Sequence, residues 1–411
     1  MPDPSSEKSW KSSYLAILIA ETLAIGGFSL SMPVIPLFLE EDIGLQDPQA
    51  LKIWVGAIQS LPAVTLAVFA PIWGHLADVF SRRMMLLRAM FGGAVIVSLM
   101  YFVQSPGHLL VLRSIQGCFT GTIAAATVLT AGIVPGPQVA FALGLLQTGV
   151  AVGNSLGPLM GGLIADFLGR RAAFLSTGIA LALAGGIVLK GVSEDAHPAQ
   201  TEKSKKIRFL PELKPILQSP VLITLLTASF TIQAANSIAA PMLPLFLKHL
   251  ALQSPDPPQY IASATGLVLG IGAAFTAIAA TLAGKYAAGF GYWRTLTGCL
   301  FLGAFFTVPQ MFVTNMVQLA VFRGASSFFI GGASPVLTAI IAVSTDKKHQ
   351  GSVYGFNSSV SSGGGALGPL IGSAVAMLNY RAVFLAAAVL LGLAGAETFH
   401  RHRRLPSAKP G

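Results

Sequence analysis

The sequence predicts an all-α membrane protein with twelve transmembrane helices, arranged as two six-helix pseudo-symmetric repeats. Hydrophobic residues make up 53% of the chain and charged residues only 10%, with a mean hydropathy of +0.70. Soluble proteins usually carry about 25% charged residues, so this composition cannot cover a water-facing surface. A helical span needs about 20 residues, and 411 residues therefore accommodate roughly twelve spans with short loops.

The apolar segments are separated by short polar stretches and by one long one. Residues 192–219 form the long interruption, which we interpret as a cytoplasmic linker between an N-terminal bundle, 1–191, and a C-terminal bundle, 220–411. The predicted spans, numbered 1 to 12 in chain order, are 14–39, 53–73, 84–104, 108–132, 138–163, 171–191, 220–248, 261–283, 294–313, 316–343, 351–377 and 381–399.

Short motifs recur between the two halves at nearly one offset. Four matches occur in the same order, at offsets of 208 to 211 residues. This regularity predicts parallel repeats related by an axis along the membrane normal. The matched pairs are 32–39 with 240–247, 111–113 with 321–323, 156–159 with 367–370 and 172–175 with 382–385.

The basic residues predict the orientation. With the N-terminus inside, nineteen Lys and Arg lie in cytoplasmic segments and five on the opposite face, so both termini are expected in the cytoplasm. The net charge of +10 is spread over short loops and does not indicate nucleic-acid binding. We expect a monomer in the cytoplasmic (inner) membrane, surrounded by the lipid bilayer.

The loop after span 2 carries the most specific motif. Residues 74–83, Gly-His-Leu-Ala-Asp-Val-Phe-Ser-Arg-Arg, resemble the loop signature of the major facilitator superfamily, usually Gly-x-Leu-Ala-Asp-Arg-x-Gly-Arg-Arg. The resemblance implies the major facilitator fold and a gating loop, formed by Gly74, Asp78, Arg82 and Arg83, that latches the two halves in the outward-open state. The alternative is a topology signal without a gating role.

Span 5 carries glycines at every fourth position, Gly149, Gly153, Gly157 and Gly161, with Pro158 among them. Four-residue spacing places these glycines on one face of a helix, which lets another helix approach closely. The series resembles the fifth-span signature of the family's proton-antiport exporters, which implies export. The alternative is generic small-residue packing.

Two charged residues stand out within spans. Arg113 belongs to Leu-Arg-Ser-Ile-Gln-Gly at 112–117, which resembles a third signature whose arginine is linked to proton transfer; Arg113 also lies near enough to the span end to snorkel. Glu21 stands about 10 Å into span 1 at 1.5 Å per residue, and its repeat equivalent is Ser229. Because burial disfavours a carboxylate's charge, we interpret Glu21 as a proton or cation site. The alternatives are a side chain that reaches the cytoplasmic surface and a structural hydrogen bond.

Other polar and aromatic side chains within spans are candidates for a cavity lining: Phe28, Gln116, Asn154, Gln233, Asn236 and Asn357. The sequence shows no nucleophile–base pair, metal cluster or phosphate loop, so we expect no enzyme activity, no metal and no cofactor besides a proton gradient. We expect proton-coupled export of amphipathic drug-like small molecules. The alternatives are export of an endogenous metabolite (a sugar, siderophore or lipid-like compound) and, from another class, a non-transporting membrane sensor.

Overall fold

The computed structural model describes residues 4–79, 81–192, 219–253, 260–345 and 350–404, and within these ranges the chain is helical without any strand. Spans 1 to 6 contain the helices Pro4–Leu30, Pro48–Val79, Arg82–Leu99, Pro106–Phe119, Thr122–Ile133, Gly136–Leu168 and Arg170–Gly191. Spans 7 to 12 contain Pro220–Ala239, Leu243–Gln253, Ile261–Phe290, Tyr292–Thr307, Met316–Ser344, Gln350–Leu378 and Ala382–Arg404.

Eleven helical segments of the described ranges are long and apolar enough to cross a membrane. The remaining predicted span, span 9, coincides with Tyr292–Thr307, a 16-residue helix that Val308–Met311 continues as a 3-10 turn. The predicted all-α membrane fold is therefore confirmed. Of the predicted linker, only Val192 and Ser219 lie within the described residues.

Helix starts follow the capping chemistry of the sequence. Span 4 begins at Ser105, whose hydroxyl accepts from the His108 N–H at 3.3 Å, with Pro106 in the first turn. Span 10 begins at the repeat mate of Ser105, Asn315, whose Oδ1 accepts from the Gln318 N–H at 2.9 Å. Serine and asparagine are favoured caps because they satisfy a free backbone donor of the first turn.

Prolines interrupt span 1 and span 7 at matching positions. After Leu30 the chain continues as Ile35–Leu37 and a π-helical segment, Phe38–Asp42. After Ala239 it continues as a 3-10 turn, Ala240–Met242, and then as Leu243–Gln253. Pro33 and its repeat mate Pro241 lie at these interruptions, where proline removes a helical donor.

The described residues group into two compact units. One lies within 1–54, 61–203 and 258–270, and the other within 55–60, 204–257 and 271–411. In the first unit span 1 packs on spans 5 and 6, and span 3 on span 6; in the second, span 7 packs on spans 11 and 12, and span 9 on span 12. The same pairings therefore recur at the repeat offset.

Equivalent aromatic pairs lie in the two cores. The rings of Phe38 and Phe174 meet edge to face at 5.1 Å in the first unit, and those of Phe246 and Phe384 do so at 5.1 Å in the second. All four side chains are buried. These residues are repeat mates, so the sequence repeat is also a repeat of core packing.

Candidate functional site

Glu21 lies in the middle of the first unit and is 0% exposed. Its Oε1 accepts a hydrogen bond from the Thr122 hydroxyl at 3.0 Å. Its Oε2 is buried and has no hydrogen-bond partner among the described residues. The structure thus places the carboxylate that the sequence singled out in a fully buried position, with one of its two oxygens unpartnered among the described residues.

A break in span 4 positions Thr122. The helix Pro106–Phe119 ends, and Gly121 takes a φ of +119° before Thr122–Ile133 begins. Such a φ favours glycine, which lacks a Cβ. Thr122 is consequently the first residue of a helix, and the Glu21 carboxyl group lies beside that helix N-terminus, where the helix dipole favours negative charge.

The broken backbone is held by a side chain from span 2. Trp73 donates its indole N–H to the Cys118 carbonyl oxygen at 2.6 Å. In an unbroken helix this carbonyl would accept from the N–H of residue 122. The Trp73 ring also lies under the Arg88 guanidinium, with Cζ 3.5 Å from the ring centroid.

This arrangement is absent from the second half within the described residues. The repeat mates of Glu21 and Thr122 are Ser229 and Gly332, and Met316–Ser344 runs through span 10 as one helix. The carboxylate, its hydroxyl partner and the helix break therefore all depart from the repeat. An arrangement that fold symmetry does not require is a candidate for function.

Arg113 and Gln116 are both buried in the segment before the break. Arg113 Nη1 donates to Gln116 Oε1 at 2.8 Å, one helical turn away. Gln116, a predicted candidate for the cavity lining, is thus engaged by Arg113. A buried guanidinium needs such polar partners.

The glycine face of span 5 packs on span 1. A Cβ added at Gly153 would lie 2.7 Å from the Thr22 carbonyl oxygen, and one at Gly157 would lie 2.5 Å from that of Gly26. One at Gly161 would clash with the Leu30 carbonyl. Backbone-to-backbone contact here requires glycine, and it fixes the helix that carries Glu21.

Other residues of span 5 make two further contacts in this unit. Asn154, a candidate for the cavity lining, accepts from the Ser29 hydroxyl at 2.9 Å. Pro158 lies on the side facing residues 260–270, where a Cβ at Gly266 would clash with its carbonyl oxygen. Span 5 is therefore held tightly on two sides.

The second half has a glycine face of its own, which was not predicted from the sequence. A Cβ at Gly368 would lie 2.6 Å from Ser237 Cβ, and Cβ atoms at Gly364 and Gly372 would clash with the carbonyl oxygens of Phe230 and Ile238. Span 11 thus packs on span 7 as span 5 packs on span 1. Close glycine packing is in part an architectural feature of both repeats.

The gating-loop residues lie where the two helices meet. Span 2 remains helical through residues 74–79, and Arg82 and Arg83 start span 3. Arg82 Nη1 donates to the Val128 carbonyl at 3.5 Å, and Arg83 Nη2 donates to the Leu189 carbonyl. The Leu189 carbonyl lies in the last turn of Arg170–Gly191, where positive charge is favoured. Gly74 lies within the helix of span 2, and the side chain of Asp78 lies outside the described part.

A polar cavity of about 310 Å³ lies within the second unit, between spans 7, 10 and 11. Two of the predicted lining residues, Gln233 and Asn357, line it, whereas the half-buried Asn236 does not. The Phe28 ring instead packs against Gly93 in the first unit. The lining consists of Ser229, Ile232, Gln233, Ser334, Leu337, Thr338, Asn357, Ser358, Ser361 and Ser362.

An apolar cavity of about 370 Å³ lies in the same unit and involves spans 7 and 11. Thr227, in its wall, donates to both carboxylate oxygens of the exposed Glu397, at 3.1 and 3.0 Å. The same two helices therefore border one polar and one apolar space. The lining is Ile223, Leu226, Thr227, Phe230, Thr231, Phe356 and Val360.

Asp166, at the end of span 5, caps the start of span 8 within the first unit. Its Oδ2 accepts from the Ser263 N–H at 2.7 Å and its Oδ1 from the Ala262 N–H at 3.4 Å. Neither this cap nor the roles of Trp73 and Thr122 were predicted from the sequence. The glycine at 121, next to Thr122, was the available signal for the break.

The family model for the Major Facilitator Superfamily matches residues 17–309 and 259–411. Multidrug resistance protein MdtG of Dickeya zeae is 31% identical over 388 residues, covering 94% of this chain and 93% of that protein. MdtG of Escherichia coli strain SMS-3-5 is 30% identical over 401 residues, covering 97% and 96%. The crystal structure of the nucleoside transporter NupG aligns with a TM-score of 0.80 at 13% identity, over 94% of this chain and 99% of that one, a likeness of fold alone.

Proposed function

This chain belongs to the major facilitator superfamily and is a membrane transporter, and from that premise we propose that it exports amphipathic drug-like small molecules in exchange for protons. Transport would proceed by alternating access across the cytoplasmic membrane, with both termini in the cytoplasm. The first unit supplies the proton site, and the second unit supplies cavities for the substrate.

The observation that carries proton coupling is the environment of Glu21. An ionised carboxylate that is buried without a charged partner is costly, and within the described part of the chain Glu21 has one neutral hydrogen bond and a bare oxygen. Proton binding removes the charge and lets the carboxyl group remain buried. Proton-coupled transport requires a residue that binds a proton from one side of the membrane and releases it to the other.

The driving force and the direction follow from the same scheme. Each proton entering along the membrane potential supplies about 2.3 kcal/mol per 100 mV. The MdtG relatives carry the name of multidrug resistance proteins, and the glycine face of span 5 resembles the signature of antiport exporters. Both support outward movement of the substrate.

The substrate class is supported by the paired cavities of the second unit. One is lined mostly by hydroxyl and amide groups, and the other mostly by aliphatic and aromatic side chains. A molecule with a polar and an apolar part matches this combination, since apolar surface gains by leaving water and polar groups need hydrogen-bonding partners when buried.

Transport by purified protein in liposomes with an acidic lumen tests the proposal, with ethidium as the transported dye. Wild-type protein should accumulate the dye in the lumen as long as the pH gradient persists. Glu21→Gln should lose this accumulation yet still exchange dye with dye, because exchange needs no net proton movement. Asp47→Asn is the control, since that carboxylate is exposed and lies in neither cavity, and it should transport normally.

Accumulation by Glu21→Gln at the wild-type level would contradict the proton role of Glu21. Absence of gradient-driven accumulation by the wild type would contradict proton-coupled export of this class of compound.

One observation favours a second candidate, export of a neutral metabolite: the lining of the polar cavity contains no charged side chain.

A further inference from the structure

We propose that the polar cavity between spans 7, 10 and 11 binds an uncharged, hydroxyl-bearing head group, such as that of a polyol or glycoside. The proposal rests on the transport function above and names the chemical class of the substrate's polar part. It assigns recognition of that part to the second unit alone.

The first line of support is the chemistry of the lining. Eight of the ten lining residues are Ser, Thr, Asn or Gln, and none is charged at neutral pH. A serine or threonine hydroxyl both donates and accepts hydrogen bonds. A polyol has the same dual character at each hydroxyl, so the wall and such a ligand satisfy each other without a net charge on either side.

The second line is an unused acceptor. Asn357 Oδ1 is buried and has no hydrogen-bond partner among the described residues. A buried acceptor without a donor is destabilising, so the site gains from a ligand that brings one. A hydroxyl or amide of the ligand supplies that donor. A ligand group that only accepts hydrogen bonds does not.

The third line is the absence of acidic residues from the walls. None of the helices Pro220–Ala239, Met316–Ser344 and Gln350–Leu378 contains Asp or Glu. The acid contacting span 7, Glu397, is on span 12 and binds Thr227 on the side of the apolar cavity. A cationic group would therefore enter the polar cavity without a counter-charge, which is costly.

The size of the cavity agrees with a head group. Its volume of about 310 Å³ is near the lower end of the range for small-molecule sites, about 300–1,000 Å³. Span 11 is fixed against span 7 by the close approach at Gly368. Ser358 and Ser361 stand three residues apart, and this spacing places them on one face of span 11.

Binding of methylumbelliferyl glucoside, a neutral amphipathic glycoside, by the purified full-length protein tests the proposal, with ethidium as the cationic comparison. Asn357→Leu and Ser361→Ala should each weaken glucoside binding, by about tenfold for Asn357→Leu if one hydrogen bond and a satisfied acceptor are lost. Ethidium binding should change less than twofold. Ser359→Ala is the matched control, because Ser359 is a neighbour on the same helix whose hydroxyl bonds the Gly355 carbonyl at 3.2 Å and does not line the cavity.

Three outcomes would overturn the proposal: no glucoside binding by the wild type, wild-type glucoside affinity in both cavity variants, or an equal loss of ethidium and glucoside affinity. Should Asn357→Leu fail to fold, Ser361→Ala alone decides, since it removes a single oxygen. Glucoside binding that depends on Asn357, without gradient-driven transport, would support the cavity assignment while contradicting proton-coupled export.

Discussion

Trp73 donates its indole N–H to the Cys118 carbonyl oxygen across 2.6 Å, and this bond joins the end of span 2 to the break in span 4. Four residues beyond Cys118, Thr122 donates its hydroxyl to Glu21. Trp73 also immediately precedes Gly74 of the gating loop. The two hydrogen bonds thus flank the break in span 4: one comes from the residue before the predicted gating loop, and the other reaches the candidate proton site.

Replacing Trp73 with phenylalanine should remove this donor while keeping an aromatic ring beneath Arg88. We expect the protein to lose about 0.5–1.5 kcal/mol of stability, the net contribution of a typical hydrogen bond, and to transport more slowly. Thermal unfolding in detergent and dye transport measure the two effects. Trp293→Phe is the control, because the Trp293 ring stacks on His402 in the second unit, whereas the break lies in the first; equal effects of both substitutions would contradict a specific role for the Cys118 bond.

Gly157→Ala should destabilise the packing of span 5 on span 1. The added Cβ would lie 2.5 Å from the Gly26 carbonyl oxygen, so the helices must move apart. Gly144→Ala on the same helix meets nothing within 4 Å and should be neutral or slightly stabilising, by up to about 1 kcal/mol from helix propensity. Melting temperatures of the two purified variants provide the comparison, and indistinguishable values would mean that span 5 relaxes freely.

Asp166→Ala should weaken the start of span 8, since both carboxylate oxygens accept backbone N–H groups there. Loss of a helix cap typically costs about 0.5–2 kcal/mol. Asp166→Asn retains an acceptor and should lose less. The hydrogen-exchange rates of the amides at 262 and 263 should rise in Asp166→Ala, because these amides lose their acceptor. Unchanged exchange rates in Asp166→Ala would contradict the capping role.

Reporter fusions test the orientation predicted from the basic residues. Fusions at 45, 106 and 168 should be active outside the cytoplasm, and fusions at 81 and 136 inside it, because Lys and Arg are retained on the cytoplasmic side. A fusion at 205 within the linker should also report the cytoplasm. The opposite pattern would reverse the orientation and remove the argument for export.

The spans and their repeat were predictable from the sequence because both depend on local composition and on a constant offset. The burial of Glu21 and the glycine face of span 5 followed from helical spacing. The break at Gly121 was not predicted, because a small residue is common within membrane helices and only the backbone φ distinguishes a break. The hydrogen bond between Arg113 and Gln116 was not predicted either. Whether a polar side chain within a span lines a cavity or bonds a neighbour depends on side-chain geometry.

The polar cavity was predicted in part. Gln233 and Asn357 were identified as polar residues within spans, but the serines between 358 and 362 were not. The serines of span 11 are followed by glycines that pack on span 7. Ser358 and Ser361 line the polar cavity, whereas Ser359 between them does not. Only the arrangement of spans 7, 10 and 11 shows which hydroxyls share one space.

Proton release on substrate binding tests the role of Glu21 most directly. Ethidium is added to purified protein in weakly buffered solution near neutral pH, and the released protons are measured with a pH-sensitive dye. Wild-type protein should release protons, whereas Glu21→Gln should bind ethidium and release none, because glutamine keeps the acceptor for Thr122 but has no proton to give up. Release of the same number of protons by Glu21→Gln would contradict the assignment of Glu21 as the proton carrier.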